Sequence, residues 1–183
     1  LAAMKPDAPA LLEKELATED YQPRMIAIGT NTDPYQPIER DSRIMRGILE
    51  VLERAGHPVG IVTKSALVTR DIDILSRMAK RNLAKVAISV TSLDPKLART
   101  MEPRASTPPK RLDALRQLTE AGIPTTVMVA PVIPALNDME IERILDAAAH
   151  AGVKEASYVL LRLPLEVRDL FREWLMANYP DRY

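Results

Sequence analysis

The chain has 183 residues, of which 46% are hydrophobic, and this suits one globular domain with a single core. Its 25 Lys and Arg balance 25 Asp and Glu, so net charge gives no bulk attraction to nucleic acid or membrane, although a local groove can still be basic. The absence of cysteine excludes disulfides, thiolate nucleophiles, zinc fingers and protein-ligated iron–sulfur clusters within these residues. No run approaches the about 20 apolar residues of a membrane span and no signal peptide opens the chain, which predicts a soluble, cytoplasmic protein without a membrane partner.

Helical and strand patterns alternate along the chain. The predicted helices span residues 7–19, 41–55, 71–81, 95–100, 107–122, 139–151 and 165–179. The predicted strands span residues 25–28, 59–62, 86–90, 125–129 and 156–161. The expected N-terminal caps of the predicted helices are Asp7, Asp41, Thr107 and either Asn137 or Asp138. Strands that alternate with helices at intervals of about 30 residues predict parallel pairing with right-handed crossovers.

The architecture predicted from this pattern is α/β. An open doubly wound sheet would carry a glycine-rich turn after its first strand, and the six glycines form no such cluster. The arc of a barrel fits better, because barrels concentrate their functional residues in the loops at the carboxyl ends of the strands. A helix at the start with no strand before it predicts that a first strand and its loop precede Leu1 in a longer parent protein.

Polar residues do collect after the predicted strands, which indicates that five strand ends face one site. The strand-end segments are 29–37, 63–65, 89–92, 130–134 and 160–164. The first of them, Gly29-Thr-Asn-Thr-Asp-Pro-Tyr-Gln-Pro37, holds several oxygen-bearing side chains in one loop.

As a set, these segments resemble the radical S-adenosylmethionine (SAM) proteins related to spore photoproduct lyase, often labelled DNA repair photolyase-like. The resemblance runs from Lys5 to Tyr183 and is carried by GTNTDPYQPIE (29–39), IVTKS (61–65), AISVTSLD (87–94), MEPRAS (101–106), APVIPALND (130–138) and YVLLRLP (158–164). It implies a parallel-stranded partial (β/α)6 TIM-like barrel, here lacking its first strand, as a single domain over 1–183. It also implies SAM and a [4Fe-4S] cluster as cofactors, a 5′-deoxyadenosyl radical that abstracts hydrogen, a reductant such as flavodoxin or ferredoxin, and a DNA or nucleotide substrate.

The chain departs from the family pattern in two places. The family holds its cluster with a Cys-x3-Cys-x2-Cys loop after the first strand, and this chain has no cysteine. We expect that this loop belongs to a segment upstream of Leu1, and that the chain is inactive by itself. Spore photoproduct lyases carry a hydrogen-donating cysteine at the position of Thr30, so the reaction type can carry over while the substrate differs.

The resemblance assigns Lys64 to the carboxylate of SAM, Ser89 to its ribose and Thr32 to its amino end. From the residues alone, each is equally an ordinary strand-end or turn residue. The full set of expected cofactor-binding residues is Thr32, Asp33, Lys64, Ser89, Val129 and Ala130. The expected substrate-binding residues are Thr30, Asn31, Tyr35, Glu102 and Arg104.

Several of these residues can instead have a purely structural role. Glu102 and Arg104 can be an exposed ion pair, and Tyr35 can cover the barrel mouth instead of stacking on a nucleobase. Both histidines, His57 and His150, are expected at the surface near helix ends. Phe171 and Trp174 are expected to be packing anchors of the last helix.

Three functions remain open from the sequence. The first is a radical SAM enzyme, with nucleic-acid lesion repair as its candidate role. The second is a barrel lyase or aldolase that uses Lys64 as a Schiff-base amine. The third is a non-catalytic remnant that binds the cofactor.

Overall fold

The computed structural model describes residues 5–182, and within them one parallel sheet lies among helices. The strands are β1 (Ile26–Ile28), β2 (Val59–Thr63), β3 (Ala84–Ser89), β4 (Thr125–Val132) and β5 (Glu155–Leu160). The α-helices are α1 (Ala8–Leu16), α2 (Glu39–Ser42), α3 (Ile44–Ala55), α4 (Ile72–Ala79), α5 (Pro95–Met101), α6 (Pro108–Glu120), α7 (Ile141–His150) and α8 (Leu165–Asn178). Short 3-10 helices occupy Ala66–Asp71, Asp138–Glu140 and Pro180–Arg182.

The sheet follows the order of the chain, β1-β2-β3-β4-β5, and every neighbouring pair is parallel. This confirms the predicted α/β class with parallel strands. Because every pair is parallel, all five carboxyl ends lie at one edge of the sheet. That edge collects the polar loops.

The core lies between the sheet and its helices. Strands β3 and β4 alternate between buried and less buried residues, so one face of each strand packs against helices. The core residues from the central strands are Val59, Ile61, Ala84, Val86, Ile88, Val127 and Val129. The helices contribute Leu49, Leu52, Ile74, Leu75, Met78, Leu115, Leu118 and Ile144 to the same core.

The predicted helix over 41–55 is in fact two helices. Arg43 has a φ of 50°, in the left-handed region, and separates α2 from α3. Asp41 therefore lies within α2 and is not a cap. The capping contact of α3 comes from Glu39, whose carboxylate accepts a hydrogen bond from the Met45 amide at 2.9 Å. The buried residues of α3 are Met45, Leu49, Val51 and Leu52.

Two further expectations are wrong. Helix α7 begins at Ile141 after a 3-10 turn, and neither Asn137 nor Asp138 caps it. The Asn137 side chain accepts from the Ile133 amide, and that of Asp138 accepts from the Met139 amide at 3.1 Å. His57 is buried, with 2% of its surface exposed. Its Nδ1 lies 3.0 Å from the Pro58 carbonyl, which can only accept, so Nε2 accepts the Tyr21 hydroxyl at 2.7 Å. His150 is exposed, as expected.

The last strand and helix are more open than the rest of the sheet. All six residues of β5 are exposed. In α8 the rings of Phe171 and Trp174 stack at 5.6 Å, and the Trp174 indole donates to the Thr100 carbonyl at 3.2 Å, which anchors α8 on α5. No helix within residues 5–182 is both long and apolar enough to cross a membrane.

Candidate functional site

A cleft of about 360 Å³ opens at the carboxyl edge of the sheet, above β1 and β2. Three segments supply its walls: the loop after β1, the end of β2, and the loop after α5. The cleft is lined by Thr32, Asp33, Tyr35, Gln36, Pro37, Lys64, Ser65, Glu102, Pro103, Arg104 and Ala105.

The loop after β1 is held against β2 by backbone shape and by one carboxylate. Gly29 has a φ of +97°, and a Cβ added there would lie 1.9 Å from the Val62 carbonyl oxygen, so only glycine fits. Asp33 accepts hydrogen bonds from the Thr63 hydroxyl at 2.7 Å and the Lys64 amide at 2.8 Å. It also accepts from the Tyr35 amide at 2.9 Å. Asp33 thus uses its oxygens to join the two loops.

Glu102 joins three parts of the site through its carboxylate. One oxygen lies 2.5 Å from Nζ of Lys64 and accepts the Thr91 hydroxyl at 3.0 Å. The other accepts from the Arg111 guanidinium at 2.6 Å. The Arg111 side chain is 2% exposed and that of Glu102 is 9% exposed, so this ion pair is almost fully removed from water.

The charge state of Glu102 follows from these contacts. Burial alone raises the pKa of its carboxyl, but the positive charges of Arg111 and Lys64 outweigh burial and hold the pKa below its usual range. Glu102 is therefore an anion at neutral pH. It is neither exposed nor paired with Arg104, so the exposed-pair interpretation is wrong.

Tyr35 faces a second buried network on the far wall of the cleft. Its hydroxyl donates to Asp71 at 3.0 Å, and Asp71 also accepts from Arg46 and Arg70. Burial and the neighbouring Asp71 raise the pKa of Tyr35 far above its ordinary value. The Tyr35 ring is 2% exposed, which leaves little surface for stacking against a ligand.

The ends of β3 and β4 are tied together below this cleft. The side chain of Asn137 is fully buried, accepts from the Ile133 amide at 2.6 Å and donates to the Thr91 carbonyl at 2.8 Å. Glu140 accepts from the Ser92 hydroxyl at 2.6 Å and the Leu93 amide at 2.8 Å. These buried polar contacts hold the strand-end loops in fixed positions.

The structure brings together only part of the expected site. The cleft gathers Thr32, Asp33, Tyr35, Lys64, Glu102 and Arg104. Thr30 and Asn31 are exposed and lie outside its lining. The remaining three, Ser89, Val129 and Ala130, also lie outside it: Ser89 and Val129 are buried, and Ala130 precedes a cis peptide bond to Pro131.

Arg111 is the most important residue of the site that the sequence analysis missed. Its guanidinium donates to Glu102, to the Ser89 carbonyl at 2.9 Å and to the Ser106 carbonyl at 2.6 Å. The sequence pattern could have identified Arg111 as buried. It falls at helical spacing with Ala114, Leu115 and Leu118 on the apolar face of α6. An arginine on such a face needs a buried anion.

The described part of the chain contains no cluster of metal ligands. No group of three or more His, Cys, Asp or Glu residues within 5–182 is arranged to hold a metal ion. The whole chain also lacks cysteine, so it cannot supply the thiolates that usually bind an iron–sulfur cluster.

Sequence relatives cover almost all of the chain. An uncharacterized protein of Mycobacterium tuberculosis is 34% identical over 180 residues, which is 97% of this chain and 53% of that protein. An uncharacterized protein of Methanocaldococcus jannaschii is 30% identical over 158 residues, covering 86% of this chain and 58% of that protein. The chain thus spans about half the length of the M. tuberculosis relative.

Solved structures share the fold at low sequence identity. A spore photoproduct lyase mutant with bound AdoMet and dinucleoside spore photoproduct matches with a TM-score of 0.61 and 18% identity, over 96% of this chain and 51% of that chain. Streptococcus suis SuiB bound to S-adenosylmethionine matches with a TM-score of 0.61 and 14% identity, over 97% of this chain and 40% of that chain.

The family assignment rests on the match to a family model over most of the chain. The model of the Radical SAM superfamily matches residues 2–148. The sheet order, the polar loops at its carboxyl edge and the two solved structures agree with that match. The chain belongs to the Radical SAM superfamily.

Proposed function

We propose that this chain forms the SAM-binding part of a radical SAM enzyme, and that the cleft at the carboxyl edge holds the methionyl end of the cofactor. The observation that carries the proposal is Lys64, a cation at the carboxyl end of β2 that lines this cleft with 34% of its side chain exposed. The superfamily match supports it.

The side chains of the cleft suit this ligand chemically. The Lys64 ammonium is a partner for a carboxylate, and the hydroxyls of Thr32 and Ser65 are partners for an amino group. In the proposed complex, the Lys64 ammonium donates a hydrogen bond to the carboxylate of SAM, while Glu102 stays paired with Arg111. Glu102 therefore acts as a positioning residue for Lys64. SAM, when bound, supplies the adenosyl group used for hydrogen abstraction.

The iron–sulfur cluster does not fit the residues of this chain, because no cysteine is present to ligate it. We propose that its ligands, and the docking site for a reductant such as flavodoxin or ferredoxin, belong to the parent protein outside these 183 residues. In this proposal the chain by itself binds cofactor but does not turn over.

The proposed substrate is a molecule that gives up a hydrogen atom, and a nucleic-acid lesion is the candidate. Arg104 lines the cleft and is exposed, so it can contact a ligand. Thr30 carries a hydroxyl, whose O–H bond is too strong to quench a carbon radical readily, so efficient repair of spore photoproduct is not expected.

The Schiff-base alternative stays a hypothesis without a supporting observation. The amine nitrogen of Lys64 is held in an ion pair with Glu102. Borohydride trapping with small carbonyl compounds would detect a Schiff base if one forms.

Isothermal titration of the chain with SAM tests the proposal. Lys64→Met is expected to weaken binding about tenfold or more, because a charge-assisted hydrogen bond contributes about 1.5–3 kcal/mol. Lys80→Met changes an exposed lysine at the end of α4 and should leave binding unchanged. Absence of SAM binding, or equal affinities for the two variants, would overturn the proposal. Iron and sulfide analysis of the reconstituted parent protein tests the cluster separately.

A further inference from the structure

A second groove, of about 510 Å³, adjoins the proposed SAM cleft. It runs between the loop after β1, the 3-10 helix at Ala66–Asp71 and the start of α6. The two cavities share the lining residues Tyr35, Pro37, Ser65, Arg104 and Ala105. The groove therefore lies directly beside the cleft.

The groove is basic although the chain as a whole is neutral. Its lining includes Arg40, Arg70, Arg104 and Lys110 but no Asp or Glu. In a chain with 25 basic and 25 acidic residues, four cations with no anion in one wall is a local departure from the average. Such a departure produces a positive local potential that attracts anions.

Three of these four cations are available to a ligand. Arg70 is already neutralised, because its guanidinium donates to Asp71 at 2.9 Å and to Glu39 at 3.0 Å. Arg40, Arg104 and Lys110 are exposed, and none of them makes an ion pair with another residue in the described range 5–182.

Hydroxyl groups supplement the cations. The groove is also lined by Ser65, Ser106 and Thr107, and by Thr69, whose hydroxyl already donates to the Ala66 carbonyl at 2.9 Å. Thr107 precedes α6, and its side chain makes no capping hydrogen bond; Pro at the second helical position has no N–H to offer it. Its oxygen does not cap α6, and its O–H can donate to a ligand in the groove.

We propose that this groove binds a phosphate group of the substrate. Guanidinium, ammonium and hydroxyl groups in one concave wall form the donor set that recognises phosphate oxygens. Three exposed cations exceed what a single carboxylate needs and match a phosphate ester or phosphodiester. The position next to the SAM cleft, which rests on the proposed function, would place the phosphate beside the part of the substrate that reacts.

The test measures binding of three phosphate probes to the full chain: inorganic phosphate, a dinucleoside monophosphate and a single-stranded 12-nucleotide DNA. Arg40→Gln and Lys110→Gln alter the groove without touching the lining of the SAM cleft. Each is expected to weaken binding of at least one probe about three- to tenfold and to lower the salt dependence of DNA binding by about one charge. Lys80→Gln is the control.

The probes distinguish the sources of the phosphate. Binding of all three probes supports recognition of the phosphate itself, whereas binding of the DNA alone, weakened by both groove variants, supports recognition of a nucleic-acid strand. The proposal is overturned when no probe binds, or when the groove variants and Lys80→Gln behave alike. Titration of the same variants with SAM separates this proposal from the previous one, since SAM affinity should be unchanged in both groove variants.

Discussion

The ammonium of Lys64 lies 2.5 Å from a carboxylate oxygen of Glu102, and the other oxygen of that carboxylate lies 2.6 Å from the buried guanidinium of Arg111. The end of β2, the loop after α5 and the helix α6 thus meet at one side chain. Lys64 is the proposed contact for the cofactor. Its position depends on the ion pair with Glu102, which was not predicted from the sequence.

Replacing Glu102 by Gln should destabilise the chain substantially. The change leaves the Arg111 guanidinium, only 2% exposed, without a compensating anion, and breaking a buried ion pair in this way costs about 3 kcal/mol. Urea unfolding followed by circular dichroism measures the change. Asp113→Asn is the matched control, because it breaks a surface pair with Arg116 and should leave the free energy of unfolding unchanged. Equal stabilities of the two variants would contradict this account of Glu102.

The stabilising effect of Glu102 should depend on pH in one direction. The folded state holds the pKa of this carboxyl below its ordinary value of 4.5, so the stabilisation is fully present above pH 4.5 and is lost as pH falls through the folded pKa. The stability gap between the natural chain and Glu102→Gln is therefore expected to narrow on acidification. Unfolding curves for both proteins at several pH values below neutrality measure the gap. A gap that stays constant down to the acid limit would contradict this charge assignment.

Two glycine substitutions should differ greatly in effect. Gly29 and Gly122 both have positive φ, +97° and +75°, but an added Cβ meets the Val62 carbonyl oxygen at 1.9 Å in the first and nothing within 4 Å in the second. We expect Gly122→Ala to cost about 1 kcal/mol from backbone strain alone. Gly29→Ala should cost more than about 4 kcal/mol or prevent folding, because the loop after β1 must move away from β2. Thermal unfolding of both variants tests this, and similar losses would show that the contact with Val62 does not matter.

The hydroxyl of Tyr35 should contribute to stability and not to hydrogen-atom transfer. Tyr35→Phe removes one of the hydrogen bonds to the fully buried Asp71 and is expected to cost about 2 kcal/mol. Tyr158→Phe, at a ring that is 74% exposed, is the control and should have no effect on the unfolding midpoint. If the parent protein folded normally with Tyr35→Phe but lost turnover selectively, Tyr35 would instead have a direct role in the reaction.

The order of strands and helices was predictable from the sequence. Buried parallel strands such as β2 consist of consecutive apolar residues, and the glycines after Ala55 and Ala121 end helices at left-handed positions, so both signals are local along the chain. The carboxyl-edge location of Thr32, Asp33 and Lys64 was predictable for the same reason, since each follows a strand by a few residues.

The partners of those residues were not predictable. Glu102 pairs with Lys64, which is distant in sequence, and with Arg111 of the next helix, α6. His57 is buried against Tyr21, which lies before β1. The break at Arg43 is likewise decided by contacts of Glu39, a residue outside the predicted helix. The local pattern therefore determined the elements and the edge at which the site lies, whereas tertiary packing decided which charges neutralise each other, because burial forces each ionised side chain to find whichever opposite charge the fold brings within hydrogen-bonding distance.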